Sequence, residues 1–121
     1  MNKYKLYVII CTREGNFIKN KTFHGGAVYN GGTINELNGS FIQNETVYEA
    51  GRSNYGGAIA NNGTIKKLNA DFICNTAIYD AASTEGKGGA IYNSQNGMIE
   101  SLYGNFIGNV ASKSQRGGAI W

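Results

Sequence analysis

Residues 25–44 read GGAVYNGGTINELNGSFIQN. The same pattern returns as GGAIANNGTIKKLNADFICN at 56–75 and as GGAIYNSQNGMIESLYGNFIGN at 88–109. The third copy carries a two-residue insertion, placed most simply at Ser94-Gln95. A fourth copy begins at Gly117, and a lone NFIKN (16–20) precedes the first. The Gly-Gly pairs start at 25, 56, 88 and 117, so the period is close to 30 residues. A fixed period of this size marks a stacked-repeat architecture.

Each copy divides into three short apolar stretches: Gly-Gly-Ala-Ile-Tyr, Thr-Ile-x-x-Leu and Phe-Ile. Asn, Gly and Ser separate them. Asn-Gly, a strong turn signal, recurs at Asn30-Gly31, Asn38-Gly39, Asn62-Gly63 and Asn96-Gly97. No stretch keeps the i, i+3, i+4, i+7 spacing of an amphipathic helix over three turns. The expectation is three short strands per unit around a rough triangle, one coil of an all-β solenoid. Successive coils would stack as parallel strands about 4.8 Å apart.

Stacking accounts for the residue choices, because one coil cannot bury its apolar side chains without a neighbour. Ile34, Ile65 and Ile99 are expected to form one column, and Leu37, Leu68 and Leu102 another. Phe17, Phe41, Phe72 and Phe106 would stack ring on ring. Ala27, Ala58, Ala90 and Ala119 mark a place with room for a methyl group only. The Gly-Gly pair serves either a positive-φ corner or a close backbone approach. Asn20, Asn44, Asn75 and Asn109 follow each Phe-Ile pair, and Asn30, Asn61 and Asn93 follow the Gly-Gly strand. A stacked amide both donates and accepts, so the first set is expected to form a ladder along the stack. The other reading of these residues is turn formers facing water. Adjacent Phe and Ile point to opposite faces of a strand, so one of each pair leaves the core or sits at a bend.

Composition narrows the function classes. Eighteen Gly, no Pro and 41% apolar residues suit short strands and tight turns. The net charge of +3 comes from scattered Lys and Arg, with Lys66-Lys67 the longest run. That is not the clustered patch of a nucleic-acid binder. Cys11 and Cys74 fall at different points of the repeat, and nothing aligns them for a disulfide. The apolar run Leu6–Cys11 is shorter than a signal-peptide core and reads as a buried first strand. No stretch approaches the ~20 apolar residues of a membrane helix.

The pairing of Gly-Gly-Ala-Ile with Phe-x-x-Asn resembles the chlamydial polymorphic outer membrane proteins and related bacterial autotransporter and adhesin-like repeats. The matching residues are Gly25–Val28, Gly56–Ile59, Gly88–Ile91 and Gly117–Ile120, with Phe17–Asn20, Phe41–Asn44, Phe72–Asn75 and Phe106–Asn109. Residues 16–121 are covered. The resemblance implies a right-handed parallel β-helix of about three and a half coils. Residues 1–15 would be a degenerate N-terminal coil or cap, followed by repeats at 25–55, 56–87, 88–116 and a partial one at 117–121. It also implies a cell-surface or secreted passenger that binds a host or bacterial surface protein or glycan. The family's export signal and C-terminal membrane barrel do not show in this sequence. With GGAIW as an interrupted first strand, the expectation is a segment of a longer rod. Its C-terminal end would be uncapped and open to end-to-end self-association.

Function is placed in the links from each Phe-x-x-Asn to the next Gly-Gly. They span Lys21–His24, Glu45–Tyr55, Thr76–Lys87 and Val110–Arg116, which are four, eleven, twelve and seven residues. Variable loops on a constant scaffold are the usual seat of recognition. The candidate contact residues are Tyr48, Arg52, Tyr55, Tyr79, Asp80, Lys87, Lys113 and Arg116, because Tyr and Arg are favoured at interfaces. The alternative is a fragment of a β-helix carbohydrate-active enzyme, a polysaccharide lyase or glycosidase. That chemistry needs paired carboxylates, and the eight acids are scattered. Asp71, with Ser40 and Asn105 at its counterparts, reads as turn chemistry. His24 reads as an exposed loop residue without an equivalent in the other units. No catalytic, metal or cofactor residue is therefore expected. A threonine array for ice or mineral binding fails because Met98 replaces Thr33 and Thr64. The sequons at Asn20, Asn38, Asn44 and Asn62 are expected by chance in so Asn-rich a chain.

Overall fold

The computed structural model describes residues 4–6, 10–46, 54–78, 86–111 and 117–121. Among these the protein is all-β, and its strand pairings are parallel. One sheet pairs Tyr4–Leu6, Val28–Asn30, Ile59–Asn61 and Ile91–Asn93 in that order. A second, longer sheet pairs Ile10–Ile18 with Thr33–Ile42 and that strand with Thr64–Ile73. Met98–Ile99, Leu102–Tyr103 and Phe106–Ile107 complete it on Thr64–Ile73. A third pairs Lys21–Thr22, Glu45–Thr46, Thr76–Ala77 and Val110–Ala111. Asn54–Tyr55 and Gly86–Lys87 form a two-stranded pair.

Register follows the repeat. Thr33 lies opposite Thr64, Ile34 opposite Ile65, Leu37 opposite Leu68 and Phe41 opposite Phe72. These Ile, Leu and Phe side chains, with Ala27, Val28, Ala58, Ile59, Ala90 and Ile91, are the buried core. Each unit thus supplies the apolar surface that its neighbour covers, which is why no single unit holds a core of its own.

Three local expectations change. Thr-Ile-x-x-Leu and Phe-Ile are not separate strands in the first two full units. Thr33–Ile42 and Thr64–Ile73 each run unbroken through both. Asn38-Gly39 is therefore strand interior and not a turn, with Gly39 opposite Gly15. A Cβ on Gly39 would collide with the Gly15 carbonyl, so the glycine is set by backbone approach. Asp71 likewise lies within a strand, where its Oδ1 accepts the Asn105 backbone N–H at 2.9 Å. The buried positions 34, 37 and 41 are spaced by three and four. Flat alternation would give two, so the long strand bends as it runs.

The first unit extends further back than the lone NFIKN. Tyr4 pairs with Val28 and Ile10 with Ile34, an offset of 24 residues that holds through Ile18. Leu6 closes a strand in one sheet and Ile10 opens a strand in another. Residues 7–9 of the apolar run Leu6–Cys11 lie outside the described residues, and its described ends belong to two strands in two sheets, where one strand was expected.

The insertion in the third unit falls between Asn93, opposite Asn61, and Met98, opposite Thr64. Gly97 N–H donates to the Ser94 carbonyl at 2.8 Å, closing a tight turn that absorbs the extra residues without shifting the register.

The two glycines of each Gly-Gly pair serve different ends. Gly25, Gly56, Gly88 and Gly117 have φ between 61° and 66°, a region that costs other L-residues about 1–2 kcal/mol. The second glycines pack backbone on backbone. A Cβ on Gly57 would lie 2.5 Å from Thr76 N and would overlap the Gly89 carbonyl.

Candidate functional site

The asparagines build two ladders. Asn20 donates its backbone N–H and Nδ2 to Asn44 Oδ1, both at 3.0 Å. Asn44 repeats this on Asn75 at 3.0 and 2.9 Å, and Asn75 on Asn109 at 3.0 and 2.9 Å. The second amide hydrogen of each goes to a phenylalanine carbonyl: Asn44 to Phe17, Asn75 to Phe41 and Asn109 to Phe72. The other set does the same more sparingly. Asn30 Nδ2 donates to Asn61 Oδ1, and Asn61 Nδ2 to Asn93 Oδ1, both at 2.8 Å. Neither set is composed of turn formers facing water: Asn30, Asn44, Asn61 and Asn75 are fully buried.

Beside the first ladder the rings of Phe17, Phe41, Phe72 and Phe106 stack at 4.6, 5.0 and 4.7 Å, within 8° of parallel. Their neighbours in sequence turn outward. Ile18 is 50% and Ile107 56% exposed, whereas Phe41 and Phe72 are fully buried. One residue on, Lys19, Gln43 and Cys74 all sit at φ 54°. That left-handed residue turns the chain so the following Asn points back inside. Cys74 is an exposed free thiol.

The described ends of the two long links are paired. Glu45–Thr46 lies against Thr76–Ala77, and Asn54–Tyr55 against Gly86–Lys87. Buried Thr46 accepts the Ile78 N–H on its Oγ1 at 2.9 Å, and buried Asn54 donates Nδ2 to the Ile78 carbonyl at 2.9 Å. Neither residue stood out in the sequence, because its role is to tie one end of a link to the next unit. Of the candidate contact residues, Tyr48, Arg52, Tyr79, Asp80, Lys113 and Arg116 lie outside the described residues. Tyr55 and Lys87 are register partners, with Lys87 Nζ 5.7 Å from the Tyr55 ring centroid.

Around these two the structure assembles a group of aromatic side chains. Tyr29, Ala60 and Tyr92 occupy one register position, directly after the core Val28, Ile59 and Ile91. Ala60 breaks that aromatic row, and the Tyr55 ring comes from the adjoining corner to stack on Tyr92 at 4.4 Å. His24 stacks on Tyr55 at 5.4 Å and bridges to it across the backbone. It therefore has a counterpart, and it is half-buried. Trp121 stacks on Tyr92 at 5.3 Å, and Lys87 Nζ lies 4.1 Å from its ring centroid, a cation–π distance. The signal in the sequence was the lone Ala among Tyr29 and Tyr92, with aromatics at 24 and 55 just before two of the Gly-Gly pairs.

A cleft of about 210 Å³ opens over Ala60, lined by His24, Tyr29, Tyr55, Asn61, Asn62, Tyr92 and Ser94. Ser94 Oγ donates to Asn62 Oδ1 at its rim.

Charged side chains join units on the outside. Lys67 Nζ lies 2.8 Å from Glu36 Oε1, and Lys21 contacts Glu45. The hydrogen bond from Lys67 holds the Glu36 carboxyl below its usual range, helped by Asn38 and by the lysine charge. The Lys67 ammonium is raised by the same bond.

Family models, curated proteins and solved structures yield no match to this chain.

Proposed function

We propose that this chain is a non-catalytic scaffold segment of a right-handed parallel β-helix, of the adhesin or autotransporter-passenger kind. It presents loops on one side to a protein or glycan of a host or bacterial cell surface. The β-helix reading rests on the columns: parallel units in register, with Phe on Phe and Asn on Asn, whose links between parallel strands favour a right-handed path. The adhesive reading extends the resemblance of the Gly-Gly-Ala-Ile and Phe-x-x-Asn motifs.

One observation carries the placement of recognition. The links of eleven and twelve residues start and finish on strands that pair with one another, Glu45–Thr46 with Thr76–Ala77 and Asn54–Tyr55 with Gly86–Lys87. Apart from the two-residue insertion at Ser94-Gln95, length varies in these links, so variation is concentrated at one corner, as in repeat proteins whose insertions map to a binding face.

The test shortens both links to the length found between Lys21 and His24. One residue replaces Val47–Asn54 and one replaces Ile78–Gly86, with Tyr55 and Lys87 kept. The expected result is loss of binding to cultured host cells and bacterial cells, with the strand signature in circular dichroism retained. Unchanged cell binding by the shortened, folded chain overturns the reading.

A further inference from the structure

We propose that the cleft over Ala60 is a binding site for one terminal residue of an uncharged saccharide. It rests on the adhesive reading above and deepens it by naming the ligand class and a site beside the loops.

The cleft exists because the repeat breaks there. Tyr29 and Tyr92 hold one register position with Ala60 between them, and Ala60 is 3% exposed at the floor. Among the described residues its lining carries no Asp, Glu, Lys or Arg, so those side chains offer a ligand no carboxylate, ammonium or guanidinium partner. At about 210 Å³ it is below the ~300–1,000 Å³ of sites for drug-sized molecules, and it suits a single ring.

The chemistry of the walls fits a polyol. Tyr55 and Tyr92 stack face to face at 4.4 Å, so their edges line the opening. A ring edge carries the positive part of the aromatic quadrupole, which attracts oxygen lone pairs. The Asn62 amide and Ser94 hydroxyl each both donate and accept, as a sugar hydroxyl does. Tyr, Asn and Ser together give the amphipathic contact and adaptable hydrogen bonding found in evolved recognition surfaces.

Two variants test it. Ala60→Tyr restores the residue type found at 29 and 92, and it fills the cleft from its floor. Asn62→Ala with Ser94→Ala strips the polar rim and leaves the core untouched. The probes are an array of uncharged and sulfated oligosaccharides, then calorimetric titration with the methyl glycoside of the best-bound terminal sugar. The expected result is saturable binding of an uncharged saccharide to the parent chain and to the loop-shortened chain. Each cleft variant should weaken it at least about tenfold. An empty array, full retention by both variants, or preference for sulfated chains abolished by salt overturns the proposal. So does a cell-surface target that stays bound after its glycans are removed. Because the loop-shortened chain keeps the cleft and Ala60→Tyr keeps the loops, cell binding by the two chains separates failure of this site from failure of the adhesive reading.

Discussion

Asn75 takes two hydrogen bonds from Asn44 on one oxygen: the Asn44 backbone N–H at 3.0 Å and its Nδ2 at 2.9 Å. Asn75 then passes the same pair to Asn109 and sends its remaining amide hydrogen to the Phe41 carbonyl. A buried amide is tolerable only when its capacity is used in this way. The ladder thus does what an apolar side chain cannot: it satisfies backbone groups at a corner where the sheet ladder stops.

Position along the ladder sets the cost of breaking it. Asn75→Ala leaves the Asn44 backbone N–H and Nδ2 without their shared acceptor and takes the amide from the Phe41 carbonyl, while Asn109 Oδ1 keeps the residue-75 backbone N–H; each buried unsatisfied group costs about 1–3 kcal/mol. The expected loss exceeds about 3 kcal/mol in urea denaturation. Asn20 only donates along the ladder, and its backbone bond survives substitution, so Asn20→Ala should cost about 1 kcal/mol. Equal losses would show that the ladder is not what these residues contribute.

The phenylalanine column makes a parallel case. Phe72 is fully buried between Phe41 and Phe106. Phe72→Ala should cost about 3–5 kcal/mol. Phe106 is only partly buried and stacks on Phe72 alone among the described rings, so Phe106→Ala should cost about 1–2 kcal/mol. Thermal or urea unfolding of the two variants decides it, and the order should not invert.

These columns were legible in the sequence because stacking makes spatial neighbours of equivalent positions: Phe41 and Phe72 hold the same place in successive repeats. What the sequence concealed was where pairing overrides local signals. Asn38-Gly39 has turn chemistry, yet the strand Thr33–Ile42 passes through it, held in register by Glu14 to Ile18 on one side and Asn69 to Ile73 on the other. The aromatic group was hidden for another reason. Tyr55 belongs to the register position of His24 and Lys87, and its ring stacks on Tyr92 of a different row. A register comparison does not reveal a side chain that crosses between columns. Outward-facing Ile18 and Ile107 were undecided in sequence because either residue of Phe-Ile fits a buried position.

Glycine at the second corner position is required by the unit stacked on it. Gly57→Ala places a methyl into the Gly89 carbonyl and 2.5 Å from Thr76 N. Relief requires two backbones to separate, which breaks the Gly57 N–H bond to the Gly88 carbonyl at 3.0 Å. The expected loss is about 3 kcal/mol or more, the scale of overpacking in a tight core. At Gly118 the same methyl meets, among the described residues, only Asn109 O, at 4.0 Å. Gly118→Ala should fall within about 0.5 kcal/mol of the parent chain. Denaturation midpoints measured side by side give the comparison, and a tolerated Gly57→Ala would contradict the close stacking of the corners.

The Glu36–Lys67 pair predicts a pH response of defined sign. The Glu36 carboxyl is lowered in the folded chain, first by its hydrogen bond to Lys67. Its contribution to stability is therefore present above the unfolded carboxylate value and is lost as pH falls through the folded one. Lys67 is raised, so its contribution is present below the unfolded ammonium value and is lost as pH rises through the folded one. The pair acts fully between these limits, around neutral pH. Both side chains are partly exposed, so salt should screen the effect. Proton-coupled NMR titration of Glu36 should show its midpoint moving up in Lys67→Met and moving up with added salt in the parent chain. A Glu36 midpoint that is the same in Lys67→Met and in the parent would mean that the two side chains do not pair across the units in solution.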